Sequence, residues 1–174
     1  ALILCVGSIF SSCGDKGDGD EDVSGDTWTD SSSGLIWQDP PSSERMTWEV
    51  AEEYCGDMIL DGHNDWRLPT INELRSLIRG CDKTTIGGEC GVTDDCTNWG
   101  CQNDPCGGCE YLAGPGKGGV YWPSVMTGKP DYWYWSSSKL EDDQYAAWLV
   151  HFYSGFIDSD YGYTSHYGYA RCVR

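Results

Sequence analysis

Positive charge is scarce in this chain: 11 Lys and Arg stand against 28 Asp and Glu, a net charge of −17 over 174 residues. The basic residues, Arg45, Arg67, Arg75, Lys83, Lys117 and Lys129 among them, are scattered with no cluster. Such a surface repels phosphate backbones and sulfated polymers, so nucleic acid is not expected as a partner. Long hydrophobic runs are missing too; Ala1 to Phe10 is apolar but too short to cross a bilayer. There is no nucleophile elbow, phosphate loop, HExxH pair or paired-carboxylate motif. The Glu-Pro-Asn, Gln-Pro-Asp and Trp-Asn-Asp tripeptides of calcium-dependent lectins are also absent. No catalytic residue, metal ligand or cofactor is expected, and the chain reads as a non-enzyme.

Cysteine, by contrast, is abundant. Ten in a chain of this length exceed what a reducing cytosol tolerates, so export to an oxidising compartment is expected. With 39% apolar and 13% aromatic residues there is material for one packed core, and a second full domain would have to be very small. Residues 1–12 read as the hydrophobic part of a signal peptide whose first residues are expected to lie upstream of Ala1, since no Met or basic leader is present. Phe10-Ser11-Ser12-Cys13 looks like a bacterial lipobox, in which small residues admit a signal peptidase and leave an acylated Cys13; an ordinary secretory signal is the plainer alternative. Lipidation agrees with cysteine parity, because losing Cys5 and committing Cys13 leaves an even set for bridges. A lipid-anchored protein of the bacterial cell envelope is expected, touching the membrane through that lipid only.

Residues 13–26 are mostly Gly and Asp and read as a self-repelling tether. The Asp18, Asp20, Asp22 spacing is incomplete as a calcium loop, because Val23 stands where that loop needs Gly. The folded domain is expected over 27–174. Leu35-Ile36-Trp37 reads as a short strand. Thr47 reads as the N-cap of a first helix with Trp48, Ala51, Cys55 and Met58 on its inner face. Thr70-Ile71-Asn72-Glu73 is a capping box opening a second helix with Ile71, Leu74, Leu77 and Ile78 inward and Gly80 as its stop. Residues 81–109 hold Cys81, Cys90, Cys96, Cys101, Cys106 and Cys109 in Gly, Asp and Thr, a stapled insertion. Cys106-Gly107-Gly108-Cys109 is a CxxC, so zinc is the alternative to bridges there. Strands are expected over 132–138, 146–152 and 169–174. The pattern is α+β: two helices packed on a small, mostly antiparallel sheet, stapled by disulfides.

Several of these stretches together resemble a known family. They are Ser33-Gly34-Leu35-Ile36-Trp37-Gln38-Asp39, Thr47-Trp48-Glu49 through Tyr54-Cys55, Gly62-His63-Asn64-Asp65-Trp66-Arg67-Leu68-Pro69-Thr70, Tyr134-Trp135-Ser136-Ser137-Ser138 and Arg171-Cys172-Val173-Arg174. In this order, across about 27–174, they resemble the Lcl C-terminal domain family, named for the Legionella collagen-like adhesin, which binds sulfated glycosaminoglycans and forms trimers. The resemblance implies a C-type lectin-like fold and a bridge between Cys55 and Cys172, worth about 4 kcal/mol in the chain-entropy picture. It leaves oligomerisation open and suggests adhesion. This chain has no collagen-like stem and the wrong charge for a polyanion, so the adhesin's ligand is not carried over.

Asp65, Arg67 and His63 lie close in sequence, but a charged pair fixing the turn into a capped helix accounts for them as well as catalysis does. The candidate binding segment is Tyr153 to Tyr169, with Tyr153, Phe156, Asp158, Asp160, Tyr161, Tyr163, His166, Tyr167 and Tyr169 as contact residues. Tyr gives area at small entropic cost while Ser, Gly and Asp adapt their hydrogen bonds, a paratope-like mixture; a Tyr/Gly-rich hairpin of edge strands is the alternative. From Leu149 to Arg174 there is no Lys, Glu, Gln, Met or Trp. Those are the residues that adenine-directed retroelement mutagenesis does not produce. The expected function is binding of a protein or glycan at the cell surface, with a retroelement-diversified binder or a purely structural envelope lipoprotein as the other readings.

Overall fold

The computed structural model describes residues 23–161 and 167–174. Cys13 and the rest of 1–22, with the signal peptide and most of the tether, lie outside the described residues. The central element is an antiparallel sheet of β4 (Trp133–Leu140), β5 (Asp143–His151) and β6 (Phe156–Tyr161). A smaller sheet pairs β1 (Val23–Ser24), β2 (Thr27–Thr29) and β3 (Ile36–Gln38). Two helices, α1 (Trp48–Gly56) and α2 (Ile71–Ser76), complete a mixed α+β domain. Because Val23 pairs with Trp28, the domain begins inside the stretch expected to be tether.

Ala146 to Val150 of β5, the middle strand of the sheet, are buried on both faces because a core packs against each. Ala146, Trp148 and Val150 join one core with Ile71, Leu74, Trp28 and Trp37. Ala147 and Leu149 join a second with Trp48, Ala51, Cys55 and Trp135. The strand's period of two thus feeds α2 on one side and α1 on the other.

The two helices begin differently. Thr70 Oγ1 accepts from the Glu73 amide at 3.2 Å and the Glu73 carboxylate accepts from the Thr70 amide at 2.8 Å, a complete capping box. Thr47 stands at the N-cap position of α1, but its side chain makes no capping bond. α2 closes at Ser76, sooner than its apolar spacing suggests, because the Arg79 amide turns away to the Tyr121 carbonyl at 2.9 Å. Leu77 and Ile78 are buried all the same.

The C-terminal segment is not the regular strand expected. It is held by single bridges, Val173 to both Trp37 and Arg67 and Tyr169 to Tyr134. Cys172 within it is bonded to Cys55 of α1.

In the insertion, Cys81 is bonded to Cys109, Cys90 to Cys106 and Cys96 to Cys101. The two cysteines of the CxxC therefore end in different bridges. Arg75, buried on α2, donates to the carbonyls of Thr84 at 2.8 Å, Thr85 at 2.9 Å and Val92. Burial lowers its pKa, against the attraction of Asp94. This one side chain ties the insertion backbone to the helix.

Asp65 and Arg67 do not pair with each other. Asp65 binds Arg174 at 2.7 Å, and Arg67 grips Glu73 with two contacts of 2.6 Å.

Candidate functional site

On the face of the sheet covered by α1, the helix reaches Trp135, Ala147 and Leu149. The next rank, Trp133 opposite His151 opposite Phe156, shares that face one step further along the strands. Its rings touch: Trp133 lies 5.1 Å from His151 and 5.3 Å from Phe156. His151 meets Tyr153 edge to face at 5.7 Å, and Tyr153 meets Tyr111 the same way at 5.1 Å. Such pairs favour offset or edge-on contact because ring faces are negative and edges positive. Tyr111 is 60% exposed and ends a half-buried aromatic band that runs across all three strands.

The last cysteine of the insertion and the residues just after it build one end of this band. The Cys109 amide donates to the Ser154 carbonyl at 2.7 Å and the Leu112 amide to the Tyr153 carbonyl at 2.8 Å, which seats Tyr111 against Tyr153. Near the other end, the Arg45 guanidinium lies 4.3 Å over the Tyr132 ring. A small pocket of about 130 Å³ opens there among Arg45, Tyr132, Trp133, Asp160 and Tyr167. Tyr167 is 49% exposed.

Burial lowers the His151 pKa, and Asp131, whose backbone carries a hydrogen bond with the imidazole, pulls the other way. Desolvation raises the Tyr153 phenol, with Asp131 and Tyr111 adding to the effect. The groups gathered here are aromatic surface, hydroxyls and carboxylates.

The expected contact residues are distributed unevenly. Tyr153 and Phe156 belong to the band, and Asp160 and Tyr167 line the pocket. Asp158 is tied down by the insertion, accepting from Gln102 Nε2 at 2.8 Å. Tyr169 departs from expectation as an exposed contact. It is 4% exposed and packs 5.7 Å from the rings of both Tyr132 and Tyr134, because its bridge to Tyr134 draws it under the sheet. Tyr161 ends β6 opposite Ala146. Tyr163 and His166 lie outside the described residues. Tyr111, Tyr132, Trp133, His151 and Arg45 were not legible as site residues, because four separate segments supply them. Only the alternation of Trp133 with Tyr134 hinted that one of each pair faces outward.

Four disulfides of the described residues mark an extracytoplasmic domain, since such bridges do not persist in a reducing cytosol. The bridge from α1 to the C-terminal segment, the capped α2 and the flanking Arg67 and Arg171 all fall within one matched stretch: a family model of the Lcl C-terminal domain covers residues 26–174. The chain belongs to that family. No curated protein matches it. The Lcl C-terminal domain is not known to be catalytic. Among the described residues no group of three or more His, Cys, Asp or Glu side chains could hold a metal ion. In this Lcl C-terminal domain the Cys-rich insertion borders the candidate site, because Gln102 holds Asp158 and Tyr111 follows two residues after Cys109.

Proposed function

We propose that the protein is a lipid-anchored component of the bacterial cell envelope whose lectin-like Lcl C-terminal domain binds a protein or glycan ligand without transforming it. The observation that carries this reading is the aromatic band from Tyr111 through Tyr153 and His151 to Trp133, with the Arg45/Tyr167 pocket beside it. Partly exposed aromatic rings in a rigid row lose little entropy on contact and offer large area. Their attachment to three sheet strands and a disulfide-stapled insertion keeps them in place before the ligand arrives, which lowers the cost of binding.

The test is a screen of the mature protein against arrayed glycans and displayed envelope or host-surface proteins, repeated with Tyr111→Ala and Tyr167→Ala. A specific ligand lost in either variant, with unchanged thermal unfolding, supports the reading. A protein that binds nothing in either screen is better described as a structural envelope lipoprotein.

A further inference from the structure

Away from the aromatic band, the end of α1 and the turn after it border a groove of about 580 Å³. Its apolar lining is Pro40, Pro41, Tyr54, Met58, Ile59 and Leu60. Ile59 is 77% exposed, which leaves most of a large aliphatic side chain in water. A concavity of that size with few polar groups is the usual form of a binding site.

Three further observations concern charge. Asp26 and Asp57 line the groove and, among the described residues, no basic residue does. α1 terminates there with Asp57 as its C-cap and has no basic residue in its last turn. A helix C-terminus carries roughly half a negative charge, which Lys or Arg commonly offsets; here Glu53 and Asp57 add to it instead. Two cations reach lining residues from behind the groove: Lys129 meets the Ser43 carbonyl at 3.5 Å, and buried Arg171, already paired with Asp39, meets the Gln38 carbonyl at 3.0 Å.

One polar group is also set for a ligand. Gln38 is buried; its Oε1 accepts from the Cys172 amide at 3.2 Å and its Nε2 donates to the Tyr54 hydroxyl at 2.9 Å. With Tyr54 Oη serving as acceptor, its own hydrogen is left to donate.

We propose that this groove binds an extended segment of a partner protein in which apolar side chains stand next to a Lys or Arg. The apolar residues cover Met58, Ile59 and Leu60, the cation meets Asp57 and the helix end, and a backbone carbonyl of the segment accepts from Tyr54. A second copy of this chain does not fit, because it brings the same acidic character to an acidic rim at a net charge of −17. Anionic headgroups and sulfated polymers are repelled for the same reason. This site is separate from the aromatic band and stands without it.

The experiment is selection of short random peptides displayed on phage against the full mature chain, with depletion against an Ile59→Asp variant. The expected winners combine apolar residues with Lys or Arg. A synthetic winner should bind wild type at least about tenfold more tightly than Ile59→Asp or Asp57→Lys, in line with the loss of a central anchor. Its affinity should fall with added salt and on replacing its basic residue with Glu. Ile59→Ser, at so exposed a position, serves as the fold-neutral variant, checked by unchanged thermal unfolding. The proposal is overturned if no selected peptide is sensitive to Ile59→Asp or Ile59→Ser, or if acidic peptides are enriched. It is equally overturned if the winners lose binding in Tyr111→Ala, which would place them on the aromatic band instead.

Discussion

The Arg171 guanidinium lies 3.0 Å from the Asp39 carboxylate with both side chains buried, across 132 positions of sequence. Around the pair, Asp39 also accepts from the Thr127 amide at 3.0 Å and its hydroxyl at 2.9 Å, and Arg171 donates to the carbonyls of Gln38 and Thr127. Trp122 and Tyr134 flank the guanidinium at 5.2 and 5.8 Å. One ion pair thus joins the segment before α1, the loop before β4 and the C-terminal segment.

Removing one partner leaves the other as an unpaired buried charge. Asp39→Ala and Arg171→Ala are each expected to cost about 3–5 kcal/mol in urea unfolding. The pair Asp39→Leu with Arg171→Met should cost less than the sum of the single changes. Additive losses would show that the two residues act independently.

Among the described residues Arg75 makes no ion pair within contact distance; it binds carbonyls of the insertion. Arg75→Met should destabilise the domain by about 2–3 kcal/mol, since several buried carbonyls lose their donor. Arg75→Lys should not restore stability, because one ammonium cannot span what a planar fork spans. Amide hydrogen exchange should rise first between residues 84 and 92. A uniform rise across the whole domain would contradict this local role.

Glu73 is buried enough to raise its pKa, yet the bond from Arg67 and those from Thr70 outweigh this and leave it lowered from 4.5. A carboxylate whose folded pKa is depressed contributes stability above its unfolded pKa and loses it as pH falls through the folded value. Glu73→Gln should therefore reduce stability at neutral pH by up to about 1 kcal/mol, Arg67 being half exposed. The gap from wild type should close on acidification below the unfolded value. A gap that persists at low pH would point to packing instead.

Cys13 is expected to carry lipid. Metabolic labelling with a clickable fatty acid should mark the protein, and Cys13→Ser should abolish the signal. Equal labelling of that variant would mean the anchor is elsewhere.

If a retroelement rewrites the C-terminal segment, the adjacent DNA should hold an adenine-rich near-duplicate of its coding sequence and a reverse transcriptase. Changes should spare Phe152, Ile157, Arg171, Cys172 and Val173, all buried, and fall on exposed positions such as Tyr167. DNA lacking both elements makes the segment a fixed surface.

Sequence alone determined what rests on neighbours along the chain. The capping box at Thr70 and Glu73 was readable because capping is completed within four residues, and Trp48, Ala51 and Cys55 faced inward because helical spacing puts them on one side. Family motifs spread over 27–174 identified the domain, and cysteine number implied an oxidising compartment. Tertiary structure decided what depends on distant segments meeting. It chose one pairing for the six insertion cysteines, since their spacing leaves every connectivity open. It gave Asp65 to Arg174, far along the chain, and Arg67 to Glu73, partners that the local spacing does not specify. It buried Tyr169 while leaving Tyr167 at the surface, two residues of the same type that local pattern could not tell apart. It also assembled the aromatic band from residues about forty apart, through strand register and the docking of the insertion onto Tyr153 and Ser154.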